Sequence, residues 1–526
     1  MDEALTLIGL GWFQVTPIVT TLLIQGSYAT QHVATVFTDM PRNFKCNTEP
    51  GVEDNSTSFN NLCSIRNQTD NSIIHSKEHL CTEFMYDKTL FESTFSSEFN
   101  LVCEKSWLSG MFKTSGFIGV IFGCIYTGLG DRWGRVSVVR VITFLYLLSV
   151  LVVGLVPEMY SIIIARFVVG FCYEILNGTS YTLMMEVLPL KYRSTIGAIV
   201  SNIAYTFFAI LTGTVSYFIR SWRTLHLILS IPIFLQTVCI FFLCKSPRWL
   251  VNVGNFEEAI KVLIKGSKQN HVDLSSEALN SIRASIQPSI KESDEQVPNK
   301  KCQVIYSFSS LLKVLFSTPK MRKISVIFPA LWFLTGIVYF SIPLNANNFS
   351  SNNPFQYIVV MALADIPPNI FIPILIKYLG NVKTISFMFI LTMACLVIVV
   401  FIPEHLTWVK WTFTIAAMVT ISCCFMIAYI LGSELFPTPV RSVGFGMGSI
   451  ARHTGILTIQ YVIDTAFTLR MWWLPNVVAA VCCLLAFAVS VGMLPETHGQ
   501  PLCDTVEQVE NRSKTNQIKN DIGTHL

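Results

Sequence analysis

Charge is scarce in this chain. Only 13% of its 526 residues are Asp, Glu, Lys or Arg, about half the ~25% of an ordinary soluble domain. That deficit excludes a disordered or coiled-coil chain. With 37 basic against 33 acidic residues and no basic block, nucleic acid is not an expected partner. Several motifs are missing too. There is no Gly-x4-Gly-Lys-Ser/Thr loop for a nucleotide, and no His-Glu-x-x-His or paired Cys-x-x-Cys for a metal, so no cofactor is expected. No nucleophile–base pair stands out, so the chain does not read as an enzyme. What it has in abundance is apolar residues, 52% of the total, more than one soluble core can bury. The composition is that of a polytopic membrane protein with the lipid bilayer as its first partner.

A helix that crosses a bilayer needs about 20 predominantly apolar residues. Such runs fall at about 8–33, 107–128, 136–156, 161–184, 194–217, 224–244, 323–343, 355–377, 382–402, 408–432, 443–466 and 473–494. They predict an all-α fold of twelve transmembrane helices in two six-helix halves. The runs at 408–432 and 443–466 carry several polar residues and are expected to face other helices more than lipid. Two polar segments interrupt the series, one at about 34–106 and one at 245–322, which is charged, Ser-rich and expected to hold short amphipathic helices. The division is therefore 1–244 for one half, 245–322 for the central loop, 323–494 for the other half and 495–526 for a tail. Six helices on each side of a loop suggest an internal repeat.

Lys and Arg in short loops mark the cytoplasmic side. Arg132, Arg135, Arg140, Lys191, Arg193, Lys377, Lys383 and Arg441 all follow even-numbered runs, which puts both termini and the 245–322 loop in the cytoplasm; Arg220 and Arg223 dissent and are outvoted. The 34–106 segment then lies outside. It carries Cys46, Cys63, Cys81 and Cys103, an even set that reads as two disulfides with three possible pairings. It also carries glycosylation sequons at Asn55 and Asn67, and Asn348 offers a third. Asp2 and Glu3 precede the first run with no basic stretch, so it reads as a retained anchor helix and not as a cleaved signal.

Between the second and third runs stands Gly128-Leu-Gly-Asp131-Arg132-Trp-Gly134-Arg135, with a degraded copy in the second half, Lys377-Tyr-Leu-Gly380-Asn-Val-Lys383. In a twelve-helix chain the first stretch resembles the signature loop of the major facilitator superfamily. Further stretches resemble one family within it, the organic cation and organic anion transporters. They are Cys81-x4-Tyr86-Asp87-x3-Phe91-x-Ser93-Thr94-x3-Glu98-Phe99-Asn100-Leu101-Val102-Cys103, Ser246-Pro247-Arg248-Trp249-Leu250, Glu434-Leu-Phe-Pro437-Thr438-x-x-Arg441 and Leu494-Pro495-Glu496-Thr497-x-Gly499-Gln500-Pro501-Leu502. The chain departs from the family at Lys245, where Glu is usual, at Lys113, where Gln is usual, and at Asn369, one turn into the eighth run, a place often basic in the anion branch.

The resemblance implies alternating access: one half rocks against the other around a central site. Charges inside spans are costly and are read as functional or paired. Glu186, Arg193, Glu434 and Arg441 close the fourth and tenth helices; with Asp131, Arg132 and Arg135 they suggest a charge network between the halves that holds a gate, and Arg166 reads as scaffold. Arg452, near mid-membrane in the eleventh run, matches the Arg of the family's anion and carnitine branches, where the cation branch has Asp close by. It reads either as a guanidinium that holds a carboxylate or sulfonate, or as a buried cation neutralised by Asp464 or Asp365. Lys113 and His32 add positive potential, or else snorkel and cap. Glu174 and Asp365 read as cation ligands, coupling carboxylates or salt-bridge partners. Tyr28, Tyr205, Trp332, Tyr339, Phe340 and Tyr429 offer aromatic walls. Gly444-x-Gly446-x-Gly448 reads as close helix packing.

The expected function is plasma-membrane transport of small organic ions, anions favoured, with a counter-ion or exchanged anion. Organic cations or a carnitine-like zwitterion are the alternative, and a membrane receptor or sensor that moves nothing is a second.

Overall fold

A computed structural model describes residues 2–38, 44–46, 63–66, 78–81, 83–272, 313–345, 353–403, 405–437, 440–469, 471–497 and 506–510. Twelve long helices run through it. They are α1 (Trp12–Thr38), α2 (Ser106–Ile125), α3 (Arg135–Leu155), α4 (Met159–Val187), α5 (Leu190–Phe218), α6 (Trp222–Phe242), α7 (Pro319–Leu344), α8 (Pro354–Leu379), α9 (Asn381–Phe401), α10 (Thr407–Leu435), α11 (Arg441–Thr468) and α12 (Leu474–Met493). Among the described residues nine of them are long and apolar enough to cross a membrane by composition alone; α1, α5 and α11 are the others. The protein is an all-α, multi-pass membrane protein.

Local chemistry explains where the helices depart from the hydrophobic runs. The first run is expected from about residue 8, but α1 begins at Trp12, because Gly9 takes a φ of +70°, a left-handed conformation that ends a helix. Residues Asp2–Ile8 form a separate helix that buries Ala4, Leu5 and Ile8 against Leu263 of the helix Phe256–Gln269. At its other end α1 runs to Thr38, past the expected boundary at 33, since Gln31 to Thr38 are all buried in protein and need no lipid-facing hydropathy. Helix α6 breaks after Ile228 and resumes at Ile231, with Pro232 in the first turn of the new segment. Helix α8 breaks at Asp365–Pro367. Asn369 sits at this break, about four turns into the helix and not one, and its Nδ2 donates to the Asp365 and Ile366 carbonyls at 3.1 and 3.2 Å.

The segment between α1 and α2 contains two short antiparallel pairs, Phe44–Cys46 (β1) with Phe84–Tyr86 (β4), and Ser64–Arg66 (β2) with Glu78–Leu80 (β3). A disulfide joins Cys63 to Cys103, and Cys81 is disulfide-bonded as well. The Cys46 side chain and the sequons at Asn55, Asn67 and Asn348 lie outside the described residues. Glu98 ties this insertion to α6: its carboxylate accepts from Trp222 Nε1 at 2.7 Å and from Arg223 Nη2 at 2.6 Å. Arg220 donates to the Thr89 carbonyl at 3.1 Å. The two arginines that dissent from the loop-charge rule are thus partners of the insertion.

Within each half the helices pack through glycine. A Cβ at Gly170 of α4 would run into the Gly116 carbonyl oxygen of α2, and one at Gly455 of α11 into the Phe333 carbonyl oxygen of α7. Of the expected packing glycines of α11, Gly444 and Gly448 press on Phe436 and Phe328, whereas Gly446 faces open space. The halves meet along α2 with α11 and α5 with α8.

Candidate functional site

At the end of the bundle opposite the insertion, the two halves repeat one construction. Gly134 and Gly380, with φ of +86° and +81°, turn the chain into α3 and α9. The next residue of each, Arg135 or Asn381, reaches the carboxylate that closes α4 or α10: Arg135 Nη2 lies 2.9 Å from Glu186 Oε1, and Asn381 Nδ2 lies 2.7 Å from Glu434 Oε2. Arg135 also pairs with Asp131 at 2.8 Å. The sequence motifs after α6 and α12 lock these corners. Ser246 caps the helix Pro247–Asn252, whose Trp249 donates to the Asp131 carbonyl at 3.0 Å and packs on Gly134. Glu496 accepts from the backbone N–H of Asn381 and Val382, at 2.9 and 3.1 Å. Arg193 and Arg441 donate to the Leu188 and Phe436 carbonyls just before their own helices, and Arg132 is exposed. Each of these bonds lies inside one half or the other.

The halves touch at the insertion end. Lys113 of α2 pairs with Asp464 of α11 at 3.3 Å. Phe37 of α1 stacks on Phe355 of α8 with centroids 5.3 Å apart, and Gly213 of α5 lies against Val359 of α8.

Deeper between the halves lies Arg452 of α11. Its guanidinium sits over the Trp332 and Phe425 rings, at 5.7 and 5.8 Å, and 3.4 Å from His453 Nε2. Arg452 Nε is buried without a partner, and among the described residues no carboxylate forms a salt bridge with this guanidinium. Both expected counter-ions are occupied elsewhere: Asp464 by Lys113 and by Gln460 at 3.1 Å, Asp365 by the hydroxyls of Tyr339, at 2.9 Å, and Ser422. Glu174 of α4 reaches across to the same helix, accepting from Ser449 at 3.0 Å and from the Cys124 thiol, while its Oε2 is buried without a partner.

Aromatic rings line this region. Trp332 meets Tyr429 edge-on at 4.6 Å, and Tyr339 stacks on Phe425 at 4.8 Å. From the other half, Tyr28 stacks on Tyr173 at 3.7 Å, and the Tyr205 hydroxyl lies 3.4 Å from His32 Nδ1. His32 also meets Phe340 edge-on, at 5.2 Å. Tyr429 is 43% exposed although it touches Trp332. Sequence reasoning missed Phe425 and Tyr173. Phe425 precedes Tyr429 by one helical turn, a spacing that puts both on one face.

Comparison with known proteins agrees with this architecture. Residues 43–508 match the family described as sugar (and other) transporter. "Organic cation transporter 1" of Caenorhabditis elegans is 27% identical over 82% of this chain and 71% of its own length. "Organic anion transporter 3" of Oryctolagus cuniculus is 26% identical over 81% and 76%, and the human "Organic cation/carnitine transporter 2" is 26% identical over 81% and 73%. The inward open conformation of the xylose transporter XylE from E. coli superposes with a TM-score of 0.62 at 15% identity, covering 95% of this chain and 99% of that one, which is a likeness of fold. The chain therefore belongs to the sugar (and other) transporter family, as a member of the organic cation and organic anion transporters of the major facilitator superfamily.

Proposed function

We propose that this protein carries small organic ions across the plasma membrane by alternating access, with organic anions favoured. The observation that carries the reading is Arg452, a guanidinium between the halves with no carboxylate salt bridge among the described residues, faced by Trp332 and Phe425. A guanidinium in such a place binds a carboxylate or sulfonate through two parallel hydrogen bonds. The aromatic walls of Tyr28, Tyr205, Trp332 and Tyr339 bind flat or apolar groups without demanding one shape. Both termini and the Gly128–Arg135 loop are cytoplasmic by loop charge. The conformation is then inward-facing, with Lys113–Asp464 closing the outer gate, and an anion returns in exchange. Glu174 and Asp365 set the tolerance of the site for cationic groups.

The experiment is uptake of labelled anionic, cationic and zwitterionic probes by cells that express wild type, Arg452→Ala or Arg452→Lys at equal surface level. Saturable, trans-stimulated anion uptake that falls at least tenfold in Arg452→Ala and is only partly kept in Arg452→Lys is expected; one charge-assisted bidentate pair is worth about that much. Uptake of cations alone, unchanged by Arg452→Ala, rejects the anion reading and moves the site to Glu174 and Asp365. Binding without trans-stimulated flux identifies a sensor.

A further inference from the structure

A second basic site lies apart from Arg452. Between α1, α2 and α4, near the insertion end, Tyr28, Gln31, His32, Lys113, Phe117 and Arg166 line one cavity. Arg166 is 4% exposed, Gln31 2% and His32 7%. Arg166 leans on the Phe112 ring at 4.8 Å and makes long contacts, 3.4 and 3.5 Å, to the Gln31 backbone and side-chain oxygens. Among the described residues no carboxylate pairs with it. An arginine cannot shed its proton to escape burial, so this guanidinium is a formal charge inside the membrane without a counter-charge, a costly arrangement.

The neighbouring atoms share one polarity. Arg166 Nε, Gln31 Nε2 and His32 Nε2 are all buried and without hydrogen-bond partners. Arg166 Nε and Gln31 Nε2 are donors by chemistry. The Tyr205 hydroxyl lies 3.4 Å from His32 Nδ1; when it donates there, the imidazole proton is assigned to Nε2, a third donor. Three buried donors beside a guanidinium with no counter-charge among the described residues suit a ligand that accepts hydrogen bonds and carries negative charge. Water supplies the first but not the second. One charge suffices, because the Lys113 ammonium on the rim is already matched by Asp464. The rest of the lining includes Tyr28, whose hydroxyl is also buried without a partner, Thr35, whose hydroxyl donates to the His32 carbonyl at 2.6 Å, and the apolar Phe117, Val120 and Val169.

We propose that this cavity is a binding site for a small monovalent inorganic anion of the halide type, held by Arg166, Gln31 and His32. The site stands on its own geometry. Its part in transport, as the place of a co-bound or exchanged anion, rests on the transport reading above.

The test uses the purified full-length protein in detergent and no transport substrate, so it fails or succeeds independently of that reading. Thermal unfolding is followed as sodium chloride replaces sodium gluconate at constant ionic strength, with sodium acetate as a third arm. A ligand of the native state raises the melting temperature saturably with its concentration. Chloride is expected to do so, and acetate to do so far less. Gln31→Ala and His32→Phe, which each remove one donor, raise the half-saturating chloride concentration several-fold or more. Gln31→Glu, which tethers a carboxylate beside Arg166, abolishes the chloride response and melts no lower than wild type saturated with chloride. Equal melting of wild type in chloride and gluconate overturns the proposal. So does a chloride response that survives unchanged in the Gln31 variants, which places the anion elsewhere, and so does stabilisation by acetate alone, which assigns the cavity to the carboxylate of an organic ligand.

Discussion

The Lys113 ammonium on α2 and the Asp464 carboxylate on α11 stand 3.3 Å apart across the junction of the halves, at the end that bears the insertion. Any motion that opens this end must separate them. Asp464 is 35% exposed, so the pair is worth about 1 kcal/mol at most, or roughly fivefold in a conformational equilibrium. Asp464→Asn is therefore expected to shift the population toward opening at the insertion end by about that factor. A cysteine placed at Thr35, beside the cavity, reports it: alkylation by an impermeant reagent applied from the insertion side speeds up in Asp464→Asn, and the double exchange Lys113→Asp with Asp464→Lys restores the slow rate. An unchanged rate in Asp464→Asn would remove the pair from the gate.

Helices α2 and α4 approach more closely than any side chain permits, because a Cβ at Gly170 would overlap the Gly116 carbonyl oxygen. The obstacle is backbone, which cannot swing aside, so Gly170→Ala forces the helices apart. A loss of several degrees in melting temperature, or of folded protein altogether, is expected. Gly446→Ala is the control, since nothing lies within 4 Å of its Cβ position. Its melting temperature should match wild type.

The C-terminal turn 506–510 docks at the start of α7. Glu510 Oε1 accepts from the Lys320 backbone N–H at 2.9 Å, and Val509 is buried. The Thr318 side chain, with the N–H groups of Lys320 and Met321, holds the Glu510 carboxyl below its ordinary range. A carboxyl held low when docked favours docking fully above the ordinary glutamate pKa, and that contribution is lost as pH falls through the lowered value. Proteolytic release of the tail should therefore accelerate in acid for wild type. Glu510→Gln should release it more readily at neutral pH and respond less to acidification.

Hydropathy makes the long helices legible, because lipid demands apolar length wherever it is touched. It does not place the ends of α1, where Gly9 ends one helix and protein burial extends the other. The motifs pointed to Arg135, Glu186 and Glu434 as charges at the corners, but not to Asn381, which holds the equivalent point of the second repeat. Their direction of pairing is not in the sequence. Arg135 and Glu186 meet because Gly134 turns the chain beside the end of α4, a relation within a half. The neighbours of Arg452 were equally hidden. Which carboxylate faces it depends on how α8 and α11 rotate, and both candidates turned toward other partners.

Trp332 separates packing from recognition. Its ring is 2% exposed, lies 5.7 Å from the Arg452 guanidinium and meets Tyr429 and Phe425 edge-on. Truncation to Ala removes a buried ring and costs about 3–5 kcal/mol, enough to lower surface expression on its own. Trp332→Phe keeps most of the volume while weakening the cation–π contact, worth about 0.5–2 kcal/mol. If Trp332 only packs, Trp332→Phe reaches the surface normally and transports with an unchanged KM. If it holds the guanidinium in place for substrate, KM rises about two- to tenfold at normal surface expression, and combining it with Arg452→Lys adds less than the two changes do separately. We expect the second outcome, because the ring lies 5.7 Å from the Arg452 guanidinium, within reach of a cation–π contact.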